Sequence, residues 1–458
     1  MEKINFLEKI KEPIFYITND VAKGIGLENL LPDYHIICLD DHPLVDYLEK
    51  AGVKVFCLER VLKQKNRIFR STGKIIDHPL VLEYIKKESS GETPQILFFK
   101  PSSKIDLICK KFGFNRLGNP SPLNRIFEDK ISFYDLCRQE GLPVPEGELT
   151  KLAQAENFEE TAKKYGLPFV VQFGRGWAGS TTFFVNNENE FAELRRKYPD
   201  IPVKITEFIK GITLLNNACI FAGKVLTSPP AMQIPSFPNW TSLAAATCGR
   251  QWPAEIGPAK TKEIDALTEK VGRLMAEKGY RGFFGLDFLL EDKTGRIFLS
   301  ENNARLTASA PFFTKLEIEA LNNRKAERLP LTAFHLLSFL DLKEAESLSY
   351  LKTEVCGSEI VFRNKEKSAL LVKGSFAPGV YTFSQEKLTL KRKDYSFFPL
   401  ADKEVWLTAA ASGRLINPEV EIGRIILNRK ILADRSINDP SVFVMVKQVK
   451  SLLMLEKC

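Results

Sequence analysis

Two acidic side chains, Asp287 and Glu301, are spaced so that they can meet. They belong to a run from Gly282 to Leu290, a breaker-rich turn Glu291-Asp292-Lys293-Thr294-Gly295, and a second run from Arg296 to Arg305. Both arms alternate like strands, so the stretch reads as a β-hairpin. If the hairpin is centred on Thr294, Asp287 and Glu301 become cross-strand partners. Directly opposed like charges destabilise a sheet, by about 3 kcal/mol at ~5 Å and an effective dielectric of ~20. A hard cation reverses the sign. Asn303 shares the strand parity of Glu301, so its amide oxygen can join the same face and complete an oxygen-only ligand set suited to Mg²⁺ bound with phosphate oxygens. Arg305 falls at the next same-face position. On its own the hairpin fits equally well a surface hairpin whose carboxylates point into water.

Three further constellations lie upstream. The strand Phe169 to Phe173 runs into Gly174-Arg175-Gly176-Trp177-Ala178-Gly179-Ser180-Thr181 and then into Thr182 to Val185. Glycines between two strands permit close backbone approach, and their amides, with Ser180 or Thr181, can cradle a phosphate chain; an ordinary hairpin loop has the same spacing. Glu207-Phe208-Ile209 ends a strand in which Val203, Ile205, Glu207 and Ile209 share a face. Such a carboxylate can accept from an adenine amino group while the peptide groups read the ring edge, or it can be a solvated strand end. Lys130, just inside a helix after a proline-rich break, can reach a phosphate or remain a solvated helix-face charge.

The elements that must position these residues follow a readable rhythm. From Pro13 to about Asn119, short apolar runs alternate with helical stretches, which predicts a parallel α/β domain. Gly24 and Gly26 after the first strand read as a plain turn. Leu117-Gly118-Asn119-Pro120-Ser121-Pro122 breaks the pattern, and Asn124 to Glu140 reads as one helix closed by Gly141. A helix over about 154–165 and another from Asn187, capped by an Asn187/Glu190 pair, flank the glycine-loop strands. Ser228 to Pro258 has no sustained period and reads as a long loop, with Asn239, Trp240, Arg250 and Trp252 as candidate substrate contacts. Ile264, Leu267, Val271, Leu274 and Met275 mark an amphipathic helix that ends at Gly279. Beyond about Leu340 the runs are β-rich.

The 458 residues, 44% of them apolar, suffice for several buried cores. The net charge of +8 is scattered among 57 acidic residues, which favours a mixed solvated surface over nucleic-acid binding. Eight cysteines without a CxxC pair and four histidines give no metal-ligand spacing and suggest free thiols in a reducing compartment. Met1 to Lys9 is charged throughout and lacks the apolar core of a leader, and no run is long enough to span a membrane. The expectation is a cytoplasmic protein with no membrane or nucleic-acid partner.

The order of these features (helix-start lysine, glycine loop between strands, Glu-x-x strand end, Asp strand, then Glu301-x-Asn303-x-Arg305) resembles the ATP-grasp superfamily over roughly residues 100 to 340. That resemblance implies a multidomain α/β and α+β fold: an N-terminal parallel α/β domain over 1–120, a core of two α+β subdomains over 121–340 with a small ATP-lid subdomain at about 145–208, and a β-rich C-terminal domain over 341–458. It implies ATP as nucleotide and Mg²⁺, or Mn²⁺, as metal. Lys130 and Gln172 would lie at the phosphates, Gly174, Gly176, Gly179, Ser180 and Thr181 would close over them, and Glu207, Phe208 and Ile209 would hold adenine. Asp287, Glu301 and Asn303 would ligate the metal, and Arg305 would act catalytically near the transferred phosphate or substrate carboxylate. One position departs from the family pattern: the strand before the glycine loop usually ends in a phosphate-touching lysine, and here Gln172 brings no charge.

The activity so implied is an ADP-forming carboxylate–amine ligase acting on small-molecule substrates, with a homodimer as the default assembly. A bicarbonate-activating carboxylase of the same superfamily is a second reading. A third is a regulatory protein that binds ATP without turnover, in keeping with Gln172.

Overall fold

In the computed structural model, residues 6–66, 70–176, 179–322, 328–340, 342–433 and 436–458 are described. Met1 to Asn5, and Trp177 and Ala178 of the glycine loop, lie outside the described residues.

Five parallel strands, Ile14–Thr18, Tyr34–Cys38, Lys54–Cys57, Gln95–Phe98 and Asn115–Leu117, form the first sheet in the spatial order third, second, first, fourth, fifth. The first, second and fourth are buried at every position, as strands covered on both faces must be. The order reverses between the first and fourth strands, which opens a crevice beyond their carboxyl ends.

A second, antiparallel sheet runs Gly147–Lys151, Pro202–Glu207, Phe169–Phe173, Thr182–Val185. Helices Phe158–Tyr165 and Glu188–Lys197 supply the apolar partners of Phe169, Val171, Val203 and Ile205. The Asn187 side chain accepts from Glu190 N at 3.1 Å. Glu190 in turn accepts from Asn186 N, one residue earlier than a standard capping box.

The third sheet has eleven strands and carries the carboxylate hairpin, Gly282–Glu291 with Ile297–Asn303, at one end. Strand Gly249–Trp252 pairs with Gly357–Arg363, so the C-terminal strands continue this sheet. The hairpin arm is buried on both faces over most of its length. Phe284, Leu286 and Phe288 pack in one core with Ile264, Val271 and Met275 of helix Gly257–Glu277, while Asp287 and Leu289 face a cavity. The mixed α/β and α+β architecture with a β-rich C-terminal part agrees with the expectation from sequence. No helix among the described residues is long and apolar enough to cross a membrane.

Two local readings are corrected. The expected single helix over 124–140 is two helices, Ser121–Glu128 and Lys130–Gln139, broken where Asp129 turns to extended backbone (ψ 122°). The break forms because the Asp129 carboxylate caps the second helix, accepting from Ile131 N and Ser132 N at 3.1 Å. The expected loop over 228–258 contains two strands, Ala231–Ile234 and Gly249–Trp252. Their four-residue length gave too little periodicity to see, and pairing within the large sheet creates them.

Asp129→Ala should destabilise the protein by about 1 kcal/mol, and Asp129→Asn, which keeps an acceptor, by less. Urea unfolding midpoints check the difference; equal midpoints would show that capping does not hold the break.

Candidate active site

The hairpin pairs Asp287 directly with Glu301, and Gly285 with Asn303. A β-bulge between Asp287 and Phe288 shifts the register, so that Phe288 opposes Leu299 and Ser300 becomes the extra residue. The bulge divides the hairpin: the turn side keeps apolar pairs, and the site side keeps the carboxylates opposed. Such bulges re-aim side chains beside functional sites.

Around this pair the fold places cations and amides. Lys130, at the first position of its helix and nearly buried, donates to Glu301 Oε1 at 2.8 Å. Gln233 donates to Asp287 Oδ1 at 2.8 Å, and the Asn303 amide nitrogen approaches Asp287 Oδ2 at 3.4 Å. Burial, followed by the facing charge of Glu301, pushes the Asp287 carboxyl up to about 7. Without a bound cation the Asp287 carboxyl therefore resists ionisation.

Arg305 is tied into the same cluster. Its Nε donates to Glu128 Oε1 at 3.0 Å, its Nη2 to Asn303 Oδ1 at 2.9 Å, and its guanidinium lies 4.7 Å from the centre of the Phe99 ring. Burial alone would raise the Glu128 carboxyl, but Arg305 and Lys100 outweigh it and hold it down at about 2. Glu128 thus remains charged and anchors the end of the hairpin to the break between the two helices.

A cavity of about 1080 Å³ joins the three sheets, at the upper end of the roughly 300–1,000 Å³ usual for small-molecule sites. Asp287, Glu301, Asn303, Arg305 and Lys130 lie on its wall, as do Gln172, Gly176, Gly179, Thr181, Glu207, Phe208 and Ile209. Two residues expected there do not line it. Gly174 instead packs against Asp129, where a Cβ would come 2.6 Å from Oδ2, and its carbonyl accepts from Lys130 N at 2.9 Å. Ser180 is exposed. Gly179 has φ +79°, and a Cβ there would meet the Ala245 backbone at 2.6 Å, so only glycine suits this approach of the loop to residues 244–246. Glu207 Oε1 accepts from Glu146 N at 2.9 Å.

Of the four proposed substrate contacts, Arg250 lines the cavity, Trp240 and Trp252 are core residues, and Asn239 lies outside it. Arg250 stands in register between Gln233 and Glu359, and its buried Nε has no hydrogen-bond partner. The far wall comes from Asn19, Asp20 and Lys23 after the first parallel strand and Phe99 after the fourth, at the crevice where the strand order reverses. Glu128, Gln233 and Lys204 were not singled out from sequence. Only Lys204 carried a signal: its parity is opposite to the core-facing Val203 and Ile205.

In metal-free protein, Asp287 keeps its proton from the ordinary 3.8 up to about 7. Folding then takes up a proton in that window, so the stability contributed by this group falls as pH rises through it. Asp287→Asn removes the slope. With EDTA present, its thermal midpoint should exceed that of the unaltered protein near pH 8 and converge with it near pH 4; a gap independent of pH would refute the upward shift at Asp287.

Comparison with known proteins fits this geometry. A family profile described as an ATP-grasp domain matches residues 127–309. The carbamoyl phosphate synthase large chain of Methanosarcina barkeri is 21% identical over 286 residues, covering 59% of this chain but only 26% of that relative. Among solved structures, N5-carboxyaminoimidazole ribonucleotide synthetase from Thermotoga maritima matches 98% of this chain and 100% of its own, with a TM-score of 0.56 and 15% identity. The biotin carboxylase domain of Hydrogenobacter thermophilus 2-oxoglutarate carboxylase, solved with MgADP, ADP and bicarbonate, matches 98% of this chain and 90% of its own, with a TM-score of 0.57 and 14% identity. At such identities the structural likeness speaks for the fold alone, and the profile match is to one part of the chain: residues 127–309 match the ATP-grasp domain.

Proposed function

We propose that the protein is an ATP- and Mg²⁺-dependent, ADP-forming ligase that activates a carboxylate as an acyl phosphate for attack by an amine. The observation that carries this reading is the half-buried, face-to-face pair Asp287 and Glu301 on the wall of a large cavity. The residues present fit a hard divalent cation. Their donors are all oxygen, the Asp287 carboxyl is held protonated to a higher pH in a way a cation would reverse, and among the described residues no third His, Cys, Asp or Glu joins the pair. That leaves room for Asn303, phosphate oxygens and water. The Asn303 oxygen accepts from Arg305; turning the amide over would offer that oxygen to the metal and free an Arg305 donor for substrate. When bound, the cation would neutralise phosphate charge.

The chain's own groups do the rest by positioning and electrostatics. Lys130 lies where it can exchange Glu301 for a phosphate oxygen, and the loop around Gly176, Gly179 and Thr181 covers the same wall. Glu207 with the Phe208–Ile209 backbone holds adenine between the four-stranded sheet and the large sheet. A substrate carboxylate oxygen attacks the γ-phosphorus as the bond to the ADP oxygen breaks. The amine then adds to the acyl carbon, phosphate leaves, and the nitrogen loses a proton. No protein nucleophile is required. Arg250, with an unused donor, suits the carboxylate, and the crevice at Asn19, Asp20 and Lys23 suits the acceptor.

The likeness along almost the whole chain to a carboxylase domain solved with MgADP and bicarbonate favours a second reading, in which bicarbonate is the carboxylate activated. Phosphate release screened across amino acids, dipeptides and bicarbonate, followed by product mass, separates the two. Asp287→Asn and Glu301→Gln should each lower Mg²⁺-dependent phosphate release at least about a hundredfold, or about 3 kcal/mol, with circular dichroism unchanged. Full turnover in both variants would remove the proposed metal site.

A further inference from the structure

Strand Pro202–Glu207 turns Val203 and Ile205 into the core of the small sheet and presents Lys204 and Thr206 to the cavity. Lys204 stands directly opposite Gln172 in the antiparallel register, so the two Cβ atoms point to the same face about 5 Å apart. Only 3% of Lys204 is exposed. Among the described residues its ammonium has no hydrogen bond and no salt-bridge partner; the Tyr134 ring lies 5.2 Å away, and Lys130 and Glu301 act on it through space. The carboxylate at the same end of the cavity, Glu301, is already paired with Lys130. Burial, then repulsion from Lys130, pulls the Lys204 ammonium down to about 8.

A buried cation lacking a counter-ion and sharing a wall with a second cation is unfavourable in the empty protein. It becomes favourable when a polyanion enters between them. Gln172, whose amide donates to Thr182 Oγ1 at 3.1 Å, brings hydrogen-bonding capacity without charge. We propose that Lys204 is a phosphate-binding residue of the nucleotide site, supplying from the neighbouring strand the positive charge that position 172 lacks. This rests on the nucleotide reading above. It also removes the main sequence argument for a protein that binds ATP without turnover, because the charge has moved across one strand pair.

The test compares affinities for ATP with MgCl₂ and for adenosine by calorimetry. The proteins are the unaltered chain, Lys204→Met, Lys204→Gln, and the exchange Gln172→Lys with Lys204→Gln. Lys204→Met should weaken ATP binding about tenfold or more, as loss of a charge-assisted contact does. Adenosine affinity should be unchanged, and the nucleotide-free thermal midpoint equal or higher, because a buried unpaired charge has gone. The exchange should recover most of the ATP affinity lost in Lys204→Gln. A Met variant that binds ATP as tightly as the unaltered chain, or that loses ATP and adenosine alike, would overturn the role of Lys204; so would an exchange no better than Lys204→Gln. Absence of ATP binding by the unaltered protein would instead remove the nucleotide reading itself, and Lys204 with it.

Discussion

The opposition of Asp287 and Glu301 across one strand pair is the constraint that organises this molecule. Two half-buried carboxylates held at cross-strand distance on a cavity wall are unstable alone, and the fold answers with donors from segments remote in sequence. Lys130 comes from a helix start, Gln233 from a short interior strand and Asn303 from the hairpin itself. A bulge keeps the opposed pair on the cavity side while the rest of the hairpin packs as core. This local instability is what the proposed divalent cation would relieve.

A second electrostatic relay fixes the geometry around that pair. Asp129 breaks what would otherwise be one helix, and the break puts Glu128 and Lys130 on successive helices, Lys130 reaching Glu301 in the second hairpin strand and Glu128 reaching Arg305 just beyond its end. Glu128 holds Arg305, Arg305 holds the Asn303 amide, and the amide faces Asp287. The same break seats Gly174 against Asp129, so the base of the glycine loop is tied to the lysine that faces the carboxylates. Each of these contacts replaces water with a fixed dipole or charge, which is how a site of this kind becomes preorganised.

The cavity owes its size to three sheets meeting at their functional edges. The four-stranded sheet offers Gln172, Lys204 and Glu207, the large sheet offers Asp287, Gln233 and Arg250, and the parallel sheet offers the crevice where its strand order reverses. The arrangement sets amide and ammonium donors of the four-stranded sheet across the cavity from the opposed carboxylates of the large sheet, the geometry on which the proposed nucleotide site rests.

The hairpin itself was legible because it is local, with breaker residues at the turn and period-two alternation in both arms, but the turn register alone would set Asp287 against Ser300, and the bulge that brings Glu301 opposite it left no sequence signal. The parallel α/β rhythm before residue 119 and the capped helix after Asn187 were legible because they too are local. The helix break at Asp129 was not, since a capping aspartate inside a helical period looks like any other polar residue until its partners are seen. Nor were the strands Ala231–Ile234 and Gly249–Trp252, which exist only because the large sheet pairs them. Glu128 with Arg305, Gln233 with Asp287 and Lys204 beside Lys130 join residues from 54 to 177 positions apart where they are hydrogen bonded. Periodicity carries no information over such separations. The sequence therefore determined which groups could do chemistry and on which face each would stand, whereas the tertiary structure alone decided which charges share one desolvated wall, because desolvation depends on what packs from elsewhere in the chain.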